Sequence, residues 1–254
     1  MRARRLVLAL AMALALPAGA QAADEHAAVP HRAWPFEGLF GTFDQGASQR
    51  GFQVYNEVCT ACHSMKLLAF RHLEGIGFTE DQIKQIAASK QVTDGPNDAG
   101  EMFERPGRAS DHFPAPFPNE KAARAANNGA YPPDFSTLVK GRDGGASYVH
   151  GVLTGYKDPP PAGVQLQPGM HYNEVFPGHQ IAMPPPLTEG QVTYADGTQS
   201  SVDQMAADVS TFLAWASEPE LETRKRMGTK VILYMLVLTG FLYAIKRRVW
   251  AAVH

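Results

Sequence analysis

The residues best suited to chemistry lie together in the segment Cys59-Thr60-Ala61-Cys62-His63. A C-x-x-C-H sequence is typical of covalent attachment of a c-type haem. Two thiols one helical turn apart can add to the two vinyl groups on one edge of a porphyrin, and the next residue can place an imidazole beneath the ring as an iron ligand. The spacing therefore predicts one haem c, attached by two thioether bonds through Cys59 and Cys62, with His63 on the iron.

Other uses of a C-x-x-C pair fit this chain less well. Cys59 and Cys62 are its only cysteines, so a zinc site has no second cysteine pair to complete it, and a disulfide framework is excluded. A thioredoxin-like redox motif would require a βαβ unit around it, whereas 23 glycines and 19 prolines favour turns. A non-haem thiol or metal protein is thus the weaker alternative.

The second axial ligand has to come from elsewhere in the chain. Setting aside the methionines of the terminal segments and the one beside the cysteine motif leaves Met102, Met170, Met183 and Met205. Met183 stands out because three prolines follow it and fix the backbone without helix or sheet hydrogen bonds. A rigid extended segment can hold a thioether against iron. From the residues alone, a loop methionine packed on an apolar surface remains the alternative.

The N-terminus has the pattern of a secretory signal peptide over residues 1–22. Three arginines precede an apolar run of 11 residues at 6–16, which is too short to span a bilayer. Pro17 ends the run, and Ala20-Gln21-Ala22 forms a small-x-small cleavage site. We expect the mature chain to begin near Ala23, with an uncleaved membrane anchor as the alternative.

The C-terminal residues 224–254 have the pattern of a transmembrane anchor and a short cytoplasmic tail. Residues 231–245 are a run of 15 without charge, and an extension back to Met227 gives 19 when Lys230 reaches out to the interface. Three basic residues and Trp250 follow the run, as at a membrane interface. A buried core helix is the alternative, but the run is apolar on all faces. Because the signal peptide exports the chain, this single span returns the tail to the cytoplasm.

The charge of the chain is unevenly distributed. Residues 23–223 contain 13 basic and 25 acidic residues, a net charge of −12, whereas both ends are basic. An acidic body attracts cationic partners and repels polyanions, so nucleic acid is excluded as a partner. Four acidic residues in one long loop are the candidate docking surface for a basic protein: Asp94, Asp98, Glu101 and Glu104.

Residues 23–223 are predicted to form one mostly helical domain. Apolar periodicity and capping residues predict four helices, at 45–58, 79–89, 120–128 and 201–217. Thr79 and Asn119 are the expected N-caps of the second and third helices.

The connections between these helices are long. Residues 91–118 and 158–186 show no periodic pattern, and loops of that length in a domain of this size are usually functional. The sequence of residues 188–200 predicts a short hairpin with Asp196-Gly197 at its turn.

Several motifs, in their order along the chain, resemble the cytochrome c1 family, the membrane-anchored haem subunit of the cytochrome bc1 complex. These motifs are Trp34-Pro35-Phe36-Glu37-Gly38, residues 40–44, residues 49–55 leading into the C-x-x-C-H segment, residues 122–136 and residues 182–187. The resemblance covers almost the whole mature chain and is strongest to the alphaproteobacterial members. It implies a single cytochrome c-like haem domain, with long loops, on one C-terminal transmembrane helix.

The resemblance also implies roles for particular residues. His63 is expected to be the proximal iron ligand and Met183 the distal one. Arg124 matches an arginine that pairs with a haem propionate, and Tyr131 lies in the segment that lines the haem. Some bacterial relatives have an extra disulfide before the methionine ligand; here both cysteines serve the haem, so residues 142–180 are expected to be held by packing and by their prolines.

The implied function is electron transfer within ubiquinol–cytochrome c reductase. The haem would accept electrons from the Rieske iron–sulfur protein and pass them to cytochrome c, while quinol oxidation and proton translocation would lie with cytochrome b, in a dimeric complex. The chain would not be catalytic alone. Its haem domain would face the periplasm of a bacterial inner membrane. The alternative is a c-type haem subunit of another membrane-bound oxidase or reductase.

Overall fold

Six α-helices form most of the regular secondary structure among residues 29–251, the part of the chain that the computed structural model describes. They are α1 Gln45–Glu57, α2 Glu80–Ala88, α3 Glu120–Ala126, α4 Gly145–Thr154, α5 Val202–Ser217 and α6 Leu221–Trp250. Short 3₁₀ turns occupy Cys59–Ala61, Phe70–Ile76 and Pro177–His179. The four predicted domain helices are confirmed to within two residues at each end, and α4 is an addition to them. The predicted signal peptide lies outside the described residues.

Side-chain caps fix where four of these helices begin. Asp44 accepts a hydrogen bond from the Ala47 amide at 2.8 Å, and Ser201 accepts one from the Gln204 amide at 3.1 Å. Thr79 forms a capping box with Gln82, and Asn119 caps α3, as predicted. Each cap supplies an acceptor to an amide that the first turn leaves unpaired, which stabilises a helix by about 1 kcal/mol.

Two small antiparallel sheets lie in the loops for which no pattern was found. In the first, β1 Gln91–Asp94 pairs with β2 Phe103–Pro106. In the second, β3 His171–Tyr172 pairs with β4 Gln180–Ile181. Strands of two to four residues are too short to show an alternating pattern in sequence.

The hairpin predicted for residues 188–200 is wrong, because this segment folds as turns without a strand. Val192 and Tyr194 are buried in the domain core. The Thr193 carbonyl accepts a hydrogen bond from the Gln53 side chain of α1 at 3.0 Å. The Gly190 amide donates to the Ser200 carbonyl at 2.9 Å, but no ladder of strand hydrogen bonds follows it within residues 188–200.

The core forms where α1 crosses α5. A Cβ on Gly51 would lie 2.0 Å from the backbone oxygen of Asp208, so the two helices touch at their backbones. At this crossing the rings of Phe52 and Tyr55 pack against Phe212, each with its centroid 5.6 Å from that of Phe212. Burial of each such ring contributes about 1.5–3 kcal/mol. Since α1 leads directly into Cys59, this crossing sets the position of the cysteine motif.

The last helix, α6, projects from the domain. It is 30 residues long, which corresponds to about 45 Å. Among residues 29–251 it is the one helix long and apolar enough to cross a membrane, with a mean hydropathy of 1.7 over its most apolar window and none of that window buried. Its first turn is bonded to the domain, since the Phe43 amide donates to Glu222 at 2.9 Å.

Candidate functional site

The cysteine motif forms a single helical turn immediately after α1. The amides of Cys62 and His63 both donate to the Cys59 carbonyl, at 3.1 and 2.9 Å. Cys59 is half-buried and Cys62 is exposed. The turn therefore keeps the two thiols and the imidazole within one short loop.

These three side chains lie on the wall of a cavity of about 510 Å³. That volume is within the range of cofactor pockets, whose walls are mostly apolar with a few polar groups. The apolar wall here comes from α4, α5 and the loops on either side, including Phe135, Leu138, Val149, Val152 and Leu213. The cavity can enclose a flat apolar group beside the two cysteines.

His63 is held in one orientation by two contacts. Its Nδ1 lies 2.9 Å from the carbonyl oxygen of Pro133, and its ring stacks on Phe135 with centroids 4.1 Å apart. Burial lowers the pKa of His63, although the Pro133 carbonyl and Asp134 act in the opposite direction. A neutral imidazole that donates from Nδ1 presents Nε2 as its metal-binding nitrogen.

Asp134 connects the cysteine motif to the segment that orients His63. Its carboxylate accepts hydrogen bonds from the Ser64 hydroxyl at 2.7 Å, the Lys66 amide at 3.0 Å and the Ser136 amide at 2.9 Å. Burial raises the pKa of Asp134, but these hydrogen bonds outweigh that effect and the pKa is lowered. An ionised Asp134 therefore keeps Pro133 against the imidazole.

Met183 lines the same cavity as His63, in a segment fixed by its neighbours. The Tyr156 hydroxyl donates to the Met183 carbonyl at 3.0 Å. The side chain packs against a small apolar cluster that contains Val152, Val175 and Ile181. Pro184 and Pro186 line the cavity beside it.

The three other candidate methionines do not line this cavity. Met102 is 60% exposed, near the turn between β1 and β2, and Met205 is fully buried in the α5 core. Met170 precedes β3. The structure therefore brings one of the four candidates together with His63, Cys59 and Cys62.

A buried asparagine holds the loop that precedes Met183. Asn173 is fully buried, donates to the Val152 carbonyl at 2.7 Å, and accepts from the amides of Val175 and Phe176 at 3.0 Å. These bonds join the loop to the end of α4. Besides the packing and prolines expected to hold residues 142–180, one buried amide satisfies three backbone groups of this loop.

The sequence of this chain matches the Cytochrome C1 family over residues 34–253. The chain belongs to the cytochrome c1 family. It is 45% identical to cytochrome c1 of Rhodospirillum rubrum, over 97% of this chain and 96% of that protein. It is 46% identical to the mitochondrial cytochrome c1 haem protein of Saccharomyces cerevisiae, over 94% and 77% of the two chains.

A further relative carries this sequence as part of a larger protein. The cytochrome b/c1 of Bradyrhizobium diazoefficiens is 47% identical over 89% of this chain, which spans 36% of that protein's length. Members of the cytochrome c1 family are the haem-carrying electron-transfer subunits of the cytochrome bc1 complex. This chain is accordingly a membrane-anchored haem protein of that complex.

The residues on the cavity wall fit a haem. Two thiols, an imidazole and a thioether line a largely apolar space. Within residues 29–251 no three His, Cys, Asp or Glu side chains converge on a point, so the two cysteines lack the further ligands that tetrahedral zinc requires. The donor set suits an iron porphyrin, which brings four nitrogen ligands of its own and takes two more from the protein.

The two residues predicted from the family to contact the haem edge have different positions. Tyr131 lines the cavity and is 41% exposed. Arg124 does not line it: its guanidinium pairs with Glu120, donates to the Gly129 carbonyl at 3.0 Å and lies 5.5 Å from the Tyr131 ring centroid. The structure thus places Arg124 over the ring of Tyr131 and outside the cavity wall.

The basic group that does line the cavity is Arg142, with Tyr148 beside it. Sequence reasoning missed both residues. Arg142 lies in a Gly-rich turn before α4, and nothing in its local pattern distinguishes it from an exposed arginine. Only the packing of α4 against α5 shows that this turn borders the cavity.

Proposed function

We propose that this chain binds one haem c covalently, through thioether bonds to Cys59 and Cys62, with His63 and Met183 as the axial ligands. The observation that carries the proposal is that Met183, 120 residues after His63 in the sequence, lines the same largely apolar cavity as Cys59, Cys62 and His63. Bound haem supplies reversible one-electron chemistry, and His/Met ligation raises its potential. The rest of the site consists of this chain's own residues, each with a positional role.

The proximal side is fixed by Pro133 and Phe135, which set the plane and the tautomer of His63. The distal side is fixed by Tyr156, which holds the Met183 backbone, and by the prolines that follow it. A ligand set held on both sides changes little in geometry when iron changes oxidation state, so little reorganisation accompanies electron transfer. The apolar walls exclude water and favour the less charged ferrous state, which also raises the potential.

For the haem propionates we propose Arg142 as the charge partner, with Tyr148 as a hydrogen-bond donor. Both line the cavity, whereas Arg124 is occupied by Glu120 and the Gly129 carbonyl. An arginine guanidinium suits a carboxylate because its donors form a planar fork. Arg124 has an indirect role in this proposal, since it lies over the ring of Tyr131 and positions that side chain.

The direction of electron flow follows from the place of the family in the bc1 complex. We propose that the chain accepts electrons from a Rieske iron–sulfur subunit and passes them to a cytochrome c, in a dimeric complex with cytochrome b. The charge of −12 on residues 23–223 supports a cationic acceptor. Within the predicted docking loop Asp94 is paired with Arg105, so Asp98, Glu101 and Glu104 are the better candidates for contact.

The proposed topology has three parts. Residues 1–22 are a cleaved signal peptide, residues 23–223 are the haem domain in the periplasm, and residues 224–254 are the anchor with its C-terminus in the cytoplasm. The 30-residue α6 supports the last assignment. Export also supplies the setting in which c-type haem is attached to thiols.

The test of the proposed function is a denaturing gel of the purified chain stained for haem peroxidase activity. Covalent haem should migrate with the polypeptide, and a Cys59→Ala, Cys62→Ala double variant should lose the stain. A pyridine haemochrome spectrum of each single variant should shift to longer wavelength, as expected for one thioether instead of two. Haem that leaves the unsubstituted chain under denaturing conditions would overturn the covalent assignment.

The assignment of partners needs a separate measurement. A tagged full-length chain expressed in its own host should co-purify with a b-type cytochrome and an iron–sulfur protein. Its reduction by that iron–sulfur protein should be fast, and its oxidation by a basic cytochrome c should slow steeply as salt rises. Co-purification with a terminal oxidase instead would contradict the proposal.

A further inference from the structure

Two apolar side chains stand out on the surface of the haem domain. Leu39 is 76% exposed and Phe40 is 83% exposed, the largest values among the exposed large apolar side chains of residues 29–251. Even on α6 the most exposed residue of this kind, Phe241, reaches only 66%. Two such neighbours on an otherwise acidic domain mark a contact with an apolar surface.

The loop that carries these side chains is fixed at both ends. The Glu37 amide donates to the Trp34 carbonyl at 3.0 Å, and the Thr42 amide donates to the Pro35 carbonyl at 3.1 Å. A Cβ at Gly41 would lie 1.9 Å from the Glu37 carbonyl oxygen, so closure of the loop requires a glycine there. The loop therefore presents Leu39 and Phe40 through defined backbone contacts.

The same loop is attached to the first turns of α6. The Lys225 ammonium donates to the carbonyls of Phe36 at 2.6 Å and Gly41 at 3.1 Å. Met227 and Val231, where the apolar part of α6 begins, follow Lys225 by two and six residues, which corresponds to about 3 and 9 Å along the helix. Phe40 and Leu39 are one and two residues before Gly41, so they lie near the level at which the apolar part of α6 begins.

The charges around this level suit a phospholipid surface. Arg226 and Lys230 lie on the same turns of α6 as Lys225, and Arg224 beside them pairs with Glu218. Basic residues next to a span attract anionic lipid headgroups, each contributing about 1 kcal/mol. Large apolar side chains beside such a basic cluster are the composition of segments that lie in the membrane interface.

We propose that Leu39 and Phe40 insert into the interfacial layer of the bilayer beside α6 and form a second membrane contact of the haem domain. One helix alone would leave the domain free to tilt about the point where α6 emerges. A second contact, held to α6 by Lys225, restricts that tilt. It thereby fixes the height and orientation of the cavity above the membrane.

The test places a probe at the tip of the loop in the full-length chain. Phe40→Cys adds a thiol at an exposed position, which takes an environment-sensitive NBD fluorophore. The chain is reconstituted into vesicles of phosphatidylcholine and phosphatidylglycerol, with or without a lipid that carries a nitroxide quencher near its headgroup. The unsubstituted chain carried through the same labelling gives the background from Cys59 and Cys62.

Two further cysteine variants supply reference values for the emission and the quenching of the probe. Val231→Cys, on α6, reports a probe inside the bilayer, and Leu67→Cys, 67% exposed on the haem domain, reports a probe in water. The Phe40→Cys probe should emit at shorter wavelength than the Leu67→Cys probe and lose most of its emission to the quencher lipid. Emission and quenching equal to those of the Leu67→Cys probe would overturn the proposal. A shift of the Phe40→Cys probe to shorter wavelength that occurs only when cytochrome b is added to the vesicles would also overturn it, because Leu39 and Phe40 would then contact a protein and not the lipid.

Discussion

Arg50 of α1 donates two hydrogen bonds to the carboxylate of Asp208 on α5, from Nε at 2.9 Å and from Nη2 at 3.0 Å. The same guanidinium pairs with Asp196 at 2.8 Å, in the segment that lies between Met183 and α5. The Asp208 side chain is 1% exposed and that of Arg50 is 20% exposed. These two ion pairs therefore join the helix that leads to Cys59 to α5 and to the segment that follows Met183.

Loss of Arg50 should leave a buried charge unpaired. We expect Arg50→Met to lower the free energy of unfolding by about 3 kcal/mol, since removal of one partner of a buried pair leaves the other desolvated. Guanidinium unfolding in detergent, followed by far-ultraviolet circular dichroism, measures the loss. The double variant Arg50→Met, Asp208→Leu should recover most of it. Single and double variants of equal stability would show that the lost stability comes from Arg50 packing and not from the unpaired carboxylate.

The close contact of α1 with α5 predicts opposite effects for two alanine substitutions in one helix. Gly51→Ala places a Cβ 2.0 Å from the Asp208 backbone oxygen, and separation of the helices should cost about 3 kcal/mol. Gly46→Ala, in the first turn of α1, meets only the ends of two side chains, at 3.3 Å and beyond. Its better helix propensity should leave stability unchanged or about 0.5 kcal/mol higher. Thermal unfolding of both variants checks the contrast, and equal melting temperatures would contradict it.

Local signals in the sequence were sufficient for four of the five helices of the haem domain and for the turn that carries the cysteine motif. Thr79 and Asn119 cap their helices as predicted because capping depends on neighbours within three residues. The turn at Cys59–Ala61 is equally local. The choice of Met183 over Met170 or Met102 was not local, and it needed the resemblance to a family.

The parts that could not be predicted depend on contacts between distant segments. Residues 188–200 have hairpin-like turn residues, yet Gln53 and Arg50 bind this segment to α1. Arg142 borders the cavity only because of how α4 packs on α5. Arg124 has the local pattern of the family motif, and its tertiary position still separates it from the cavity wall.

The ion pair of Asp111 predicts a pH dependence of stability. Arg105 donates to Asp111 from Nη1 at 2.6 Å and from Nη2 at 3.0 Å, and the Arg108 amide donates at 2.8 Å. Arg105, which also binds Asp94, lowers the pKa of Asp111 from 3.8 to about 2. A carboxylate with a lowered folded-state pKa stabilises the fold above its unfolded pKa, and this stabilisation is lost as pH falls through the folded value.

We therefore compare the stabilities of the unsubstituted chain and Asp111→Asn between pH 6 and pH 2. The unsubstituted chain should be more stable by a constant amount above about pH 5, and the difference should shrink between pH 4 and pH 2. Thermal unfolding at each pH measures it. Asp98→Asn, on an exposed turn, is the control and should show little difference at any pH. A difference for Asp111→Asn that stays constant down to pH 2 would exclude the ion pair as its source.

The attachment of α6 predicts where the chain can be cut. Truncation after Gly228 removes the apolar span but keeps Glu222 and Lys225, which bond to the Phe43 amide and to the carbonyls of Phe36 and Gly41. The product should be recovered without detergent. Truncation after Thr223 should also be soluble but should unfold at a lower temperature, because Lys225 is lost. A Gly228 product that stays with membranes after a high-salt wash would contradict the anchor assignment.

The proposed role of Met183 as the distal ligand gives the last prediction. Met183→Leu removes the thioether and nearly keeps the side-chain volume, so the fold should survive. Haem should remain attached, because Cys59 and Cys62 carry the proposed covalent bonds. A thioether ligand favours ferrous iron, and axial ligands set haem potentials over a range of ~0.8 V among proteins, so the midpoint potential should fall substantially. Reduction by a Rieske centre would then be unfavourable, and turnover of the complex should collapse.

Met170→Leu is the matched control for this substitution. Met170 lies 13 residues before Met183 in the same loop, and it does not line the cavity. Its variant should keep the absorption spectrum, the potential and the turnover of the unsubstituted chain. Redox titration and the visible spectrum of both variants in the assembled complex decide the matter. If Met183→Leu leaves spectrum and potential unchanged, Met183 is not the ligand, and substitution of Met102, Met170 and Met205 in turn would identify the methionine that is.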